Sequence, residues 1–145
     1  MQLGKIFVKI KLQTEIHDGN DRQRTNVKST GELFQADRQT VVRFTEKIDD
    51  QPDVSTMVTI KPDRVSIKRS GGAEMHQQFR LERPTEMVYS HQFGAIRMET
   101  LTRDFNYRPL TNEQDAKLTI NYTTKMDGEK EREHTLSLTI EEDNS

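Results

Sequence analysis

Apolar and polar residues alternate along most of this chain. The two-residue rhythm runs from Ile6 to Leu12, Thr56 to Ile60, Val65 to Ile67, Ile96 to Thr100, Leu118 to Tyr122 and Leu136 to Ile140. A strand points successive side chains to opposite faces, so each segment reads as a strand with one buried face. Nothing comparable recurs at helical spacing. The chain therefore reads as all-β.

Only 31% of the residues are hydrophobic and 32% are charged. Mean hydropathy is -0.91. Disorder usually pairs such polarity with high net charge. Here the net charge is -2, and the apolar residues are periodic, which points to a folded chain. The small apolar inventory implies a thin core, a partly polar interior, or burial completed by a second copy. The 145 residues suit one domain, 1–145, with residues 141–145 expected as a flexible tail. No repeat, low-complexity block or linker divides it.

Turn signals separate ten strands. These are expected at about 4–16, 22–33, 40–47, 54–61, 64–70, 74–81, 86–92, 95–102, 116–126 and 131–140. Asp18-Gly19, Ser70-Gly71-Gly72, Phe93-Gly94 and Asp127-Gly128 supply residues that tolerate positive φ in tight turns. Gly31 inside a strand marks a bulge or tight bend. The stretch 103–115, with Pro109, is the longest gap, and 112–114 could form one helical turn. Ten antiparallel strands on short turns favour closure, because closure removes exposed edges. The expected architecture is an antiparallel, mostly up-and-down β-barrel of about 8–10 strands. A two-sheet sandwich fits the same strand pattern.

Three segments carry a resemblance. They are Val65 to Gly71, Met75-His76-Gln77-Gln78-Phe79, and Tyr89 through Phe93-Gly94 to Met98-Glu99-Thr100. Together they resemble the YwiB-like family, small bacterial proteins that share a domain of unknown function. The matching positions are Arg69, Ser70, Gly71, Met75, Gln77, Phe79, Tyr89, Phe93, Gly94 and Thr100. The resemblance implies a calycin-like, lipocalin-like barrel and carries no catalytic role.

Extending each apolar phase places polar residues on the inner face: Glu46, Arg69, Gln77, Thr100, Tyr122 and His134. An inward arginine needs an anion, from a carboxylate such as Glu46 or from a ligand. One reading is an intracellular binding barrel for a small amphipathic or acidic molecule. Arg69 and Gln77 would make the polar contacts; Met75, Phe79, Phe93, Met98, Thr100 and Tyr122 would complete the site. The alternative is an interaction module with a packed lumen, forming a homodimer or binding another protein. A lumen of ~300 Å³ or more would favour the first reading, a solid core the second.

Other classes lack their signatures. There is no Cys, no close-spaced His pair and no Gly-x-Ser-x-Gly elbow. No metal, cofactor or enzyme chemistry is therefore expected. The basic residues Arg64, Lys68, Arg80, Arg83 and Arg97 are interrupted by Glu82, Glu86 and Glu99, and Trp is absent, so nucleic acid is not expected. No apolar run reaches the ~18 residues of a membrane helix. With no disulfide framework and no signal-peptide pattern, a cytoplasmic location is the expectation.

Overall fold

The computed structural model describes residues 4–47, 50–71, 74–91, 94–127 and 129–144, with backbone alone for 89–91. Among these residues there are ten strands and no helix: β1 (Lys5–Asp18), β2 (Asp21–Gln35), β3 (Thr40–Glu46), β4 (Val54–Ile60), β5 (Arg64–Gly71), β6 (Met75–Arg80), β7 (Thr85–His91), β8 (Gly94–Arg108), β9 (Ala116–Met126) and β10 (Arg132–Glu142). Each pairs antiparallel with its neighbours in one sheet, ordered β6-β5-β4-β3-β2-β1-β10-β9-β8-β7. The sheet curls until β6 and β7 lie side by side. The fold is thus a nearly closed up-and-down barrel, and the sandwich alternative falls away. Its one seam lies between two consecutive strands, while β1 and β10, far apart in sequence, are joined by a full ladder.

The alternation seen in the sequence is the inside–outside pattern of the wall. Val8, Ile10, Leu12, Leu33, Val42, Val58, Val65, Ile67, Leu118, Ile120, Leu138 and Ile140 all point inward and are buried. Phe7 breaks the pattern and stands on the outer face.

The main departure is at 103–115. The strand expected to stop at Thr102 continues to Arg108. Its ladder with β9 skips Arg103, pairing Thr102 with Tyr122 and Asp104 with Asn121. This bulge inserts one residue and reverses the phase, so Met98, Thr100 and Thr102 are followed by Phe105 and Tyr107 on the inner side. The reversed phase hides the strand from a search for simple alternation. Residues 112–114 form bends rather than a helical turn. At the other end of the chain β10 runs on through Glu142, and Asp143 N donates to Phe7 O at 2.8 Å, so the segment expected as a tail begins as wall.

Gly19 and Gly94 occupy positive φ, at 64° and 131°, as their turns require. Gly128 lies outside the described residues. At Gly31, expected as a bulge or tight bend, the β1–β2 register runs on without a shift. The β2–β3 ladder begins there, and above it β2 pairs only with β1. The Ser29 hydroxyl reaches back across the gap to donate to Thr45 O at 2.8 Å.

Candidate functional site

The barrel interior has two layers. Its lower end, at the connections after β2, β4, β6 and β8, is apolar. Its upper end, at the connections after β1, β3, β5, β7 and β9, is polar, because the inward phases of six strands carry polar residues there. Glu46 continues Val42 and Phe44, Thr56 precedes Val58, and Arg69 follows Ile67. On the far wall, Thr100 and Thr102 follow Met98, Tyr122 and Thr124 follow Ile120, and His134 precedes Leu136.

Three contact groups organise this layer. In the first, Arg69 Nε donates to Glu46 Oε2 at 2.9 Å, and the Thr56 hydroxyl donates to the same oxygen at 2.5 Å. Thr56 and Arg69 are register partners on β4 and β5, which sets both beside Glu46. The Arg69 side chain keeps 23% of its exposure and that of Glu46 10%. In the second, Gln77 Nε2 donates to Thr100 Oγ1 at 2.9 Å. Gln77 is on β6 and Thr100 on β8, so this buried bond staples the two sides of the seam. The Thr85 hydroxyl adds a second link, donating to Gln78 O at 2.6 Å.

The third group is aromatic. Tyr122 stacks on His134, with ring centres 4.7 Å apart, and meets the edge of Phe79 at 4.8 Å. Thr124 Oγ1 lies 2.7 Å from His134 Nε2. Burial pushes the Tyr122 phenol up to about 12, with the nearby Arg69 charge opposing weakly. Burial, reinforced by Arg132, pushes the His134 imidazole down to about 4. A hydroxyl beside an imidazole is one element of a nucleophilic site, but a general base works best with a pKa near the operating pH. His134 is neutral far below that range and serves as a hydrogen-bond partner. Buried nearby, Thr102 Oγ1 has no hydrogen-bond partner among the described residues.

This histidine gives the fold a pH dependence. An unfolded histidine titrates near ~6.5. Between there and about 4, the unfolded chain binds a proton that the folded chain excludes. Stability should therefore fall as pH is lowered through this window. The ring is partly exposed, so the loss is expected at about 1–2 kcal/mol, below the full value of the shift. Urea melts across the window should show it, and His134→Phe should flatten the slope. An equal slope in the variant would assign the effect elsewhere.

Of the residues expected to form a lumen site, Arg69, Gln77, Phe79, Thr100 and Tyr122 are brought into one layer. Met75 and Met98 are half-buried at its upper margin. Phe93 lies outside the described residues. The polar groups of the layer are largely spent on one another. Clefts of about 650, 510 and 950 Å³ open on the molecule, and Arg69, Gln77, Phe79 and Tyr122 line none of them. Sequence reasoning missed Thr102 and Thr124, although both fall in phase with residues it named. It also missed Met87, buried on β7.

The family model described as "Domain of unknown function (DUF1934)" matches residues 10–138. The chain belongs to this family. A relative, the "Uncharacterized beta-barrel protein YwiB" of Bacillus subtilis (strain 168), is 22% identical over 134 residues, which cover 92% of both chains. The crystal structure of the YwiB protein from Bacillus subtilis aligns with a TM-score of 0.84 at 20% identity, over 98% of this chain and 96% of that one. That likeness establishes the barrel as a fold that the two chains share. No helix among the described residues is long and apolar enough to cross a membrane.

Proposed function

We propose that the protein is an interaction module: a barrel with a packed interior that associates with a second copy of itself through the outer surface beside the β6–β7 seam. One observation carries this reading. Leu81, Val88 and Leu101 are 51%, 52% and 45% exposed, and lie on the β6–β7 connection, β7 and β8. Large apolar side chains gathered on one surface mark an association site. The two free edges of the sheet, β6 and β7, border the same region.

Charge supports a second copy as the partner. Glu86 and Glu99 are directly opposed on β7 and β8, with Arg97 opposite Val88 and Lys125 opposite Glu99. A patch holding both signs beside apolar residues can complement its own two-fold image. The sparse apolar inventory is consistent with burial completed in this way.

The lumen reading, with Arg69 and Gln77 as anchors, is the less favoured one. It needs Arg69 to release Glu46 and Gln77 to release Thr100. Sedimentation velocity tests the proposal. The wild-type chain should sediment as a dimer at micromolar concentration, and Val88→Glu combined with Leu101→Glu should give a folded monomer. A monomeric wild type would overturn the proposal, as would a double variant that still dimerises.

A further inference from the structure

The lower end of the barrel holds a preformed cleft of about 650 Å³, distinct from both the upper polar layer and the apolar outer patch. Its floor continues the core. Ile60 is buried, and Phe105 and Leu110 are half-buried and packed against the apolar cluster. Pro62 adds to the wall, and Arg38 and Lys61 stand at the rim. Neither cation has an ion-pair partner among the described residues. Asp37 also lines the cleft, so the lining carries two cations against one carboxylate.

The cleft is held open by a latch. Gln35 Nε2 donates to Leu110 O and Gln35 Oε1 accepts from Leu110 N, both at 3.0 Å. The Tyr107 phenol donates to the same Oε1 at 2.8 Å. One side-chain amide thus pairs with the backbone of the 109–115 connection as a strand would. That connection is tied internally as well, by Thr111 N to Gln114 O at 3.0 Å and Gln114 Nε2 to Pro109 O at 2.9 Å. The facing walls are bonded turns, Ala36 N to Gln39 O and Lys61 N to Arg64 O. A cavity preformed in this way avoids the ordering cost of binding.

We infer that this cleft binds a small amphipathic carboxylate, its aliphatic or aryl part lying on Ile60, Phe105 and Leu110 and its carboxylate meeting Arg38 and Lys61. Small-molecule sites are commonly apolar clefts of ~300–1,000 Å³ with a few placed polar groups. A guanidinium and an ammonium without ion-pair partners among the described residues supply the charge such an anion needs, and the arginine fork can engage both carboxylate oxygens. The site is independent of the dimer proposal, since it includes no residue of the apolar patch.

An NMR titration of the full chain with decanoate, below its micelle-forming concentration, tests the inference. Amide shifts should saturate at one equivalent and centre on 36–40, 60–62 and 105–111. Decylammonium, with the same chain and the opposite charge, should leave those amides unmoved. Arg38→Gln with Lys61→Gln, at rim positions outside the core, should keep the wild-type spectrum elsewhere and weaken decanoate at least tenfold. The inference is overturned by absence of saturable binding, by shifts centred on Arg69 and Tyr122, by equal binding of decylammonium, or by unchanged affinity in the double variant.

Discussion

Gly31→Ala should cost the protein more than about 3 kcal/mol, a large part of the ~5–15 kcal/mol that holds a typical domain folded. A Cβ at Gly31 would lie 2.1 Å from Arg43 O, with Phe44 Cβ at 3.0 Å and Arg43 C at 3.1 Å. The obstacle is backbone, so no rotamer change relieves it. β3 is held on its other side by the ladder to β4 and cannot shift without disturbing it. Urea denaturation should show a sharply lower midpoint, or the variant should be recovered only as aggregate. Gly4 provides the contrast: a Cβ there meets nothing within 4 Å, so Gly4→Ala should change little. A Gly31→Ala midpoint near that of the wild type would mean that β2 and β3 do not approach as described.

Arg69→Met is the second large effect. Met fills a similar volume, so the change removes the charge and its hydrogen bond with little loss of packing. Glu46 would keep the Thr56 hydroxyl and lose its counter-charge in a mostly buried position. Breaking a buried pair from one side costs ~3–5 kcal/mol, whereas an exposed pair is worth ~1 kcal/mol or less. The residual exposure of Arg69 places this pair between the two cases, near ~2–3 kcal/mol. Adding Glu46→Gln should recover more than half of the loss, because the amide still accepts from Thr56 and no longer needs a cation. If the single variant proves as stable as wild type, Arg69 is not the structural partner of Glu46.

Much of this fold could be read from the chain because a barrel wall writes itself in period two. Val8, Ile10 and Leu12 on one strand and Leu136, Leu138 and Ile140 on its partner show the inner face directly. Strand order was less accessible, since nothing in the local pattern of β1 says that it pairs with β10. The bulge at Arg103 shows a different limit. One inserted residue turns Phe105 and Tyr107 to the inner side against the phase of Thr100 and Thr102. The lower cleft was therefore invisible, because Phe105, Tyr107 and Leu110, which supply most of its floor and one half of its latch, belong to the stretch that read as a gap. In the upper layer the inward direction of Glu46, Arg69, Gln77, Tyr122 and His134 followed from phase. Which of them bond to one another did not, because those contacts join strands whose spacing across the barrel is set only by closure. Gln77 meeting Thr100 across the seam is the clearest case.

The β1–β10 ladder also bears on how the chain reaches its native state. Two meanders, β1 to β6 and β7 to β10, form from strands close in sequence. The ladder that unites them pairs Val8 with Glu142 and His17 with Glu133. Bringing such distant segments together carries a loop-closure entropy that local hairpins avoid, and topologies rich in distant pairings fold slowly. Until closure, the free edges of β1 and β10 are templates for mispairing. Their outward side chains oppose that hazard. Lys9 and Lys11 repel a second β1, Glu133 and Glu141 repel a second β10, and Lys9 lies opposite Glu141 in the native register. The charges on these two strands thus favour closure of the barrel over cross-linking of unfinished chains.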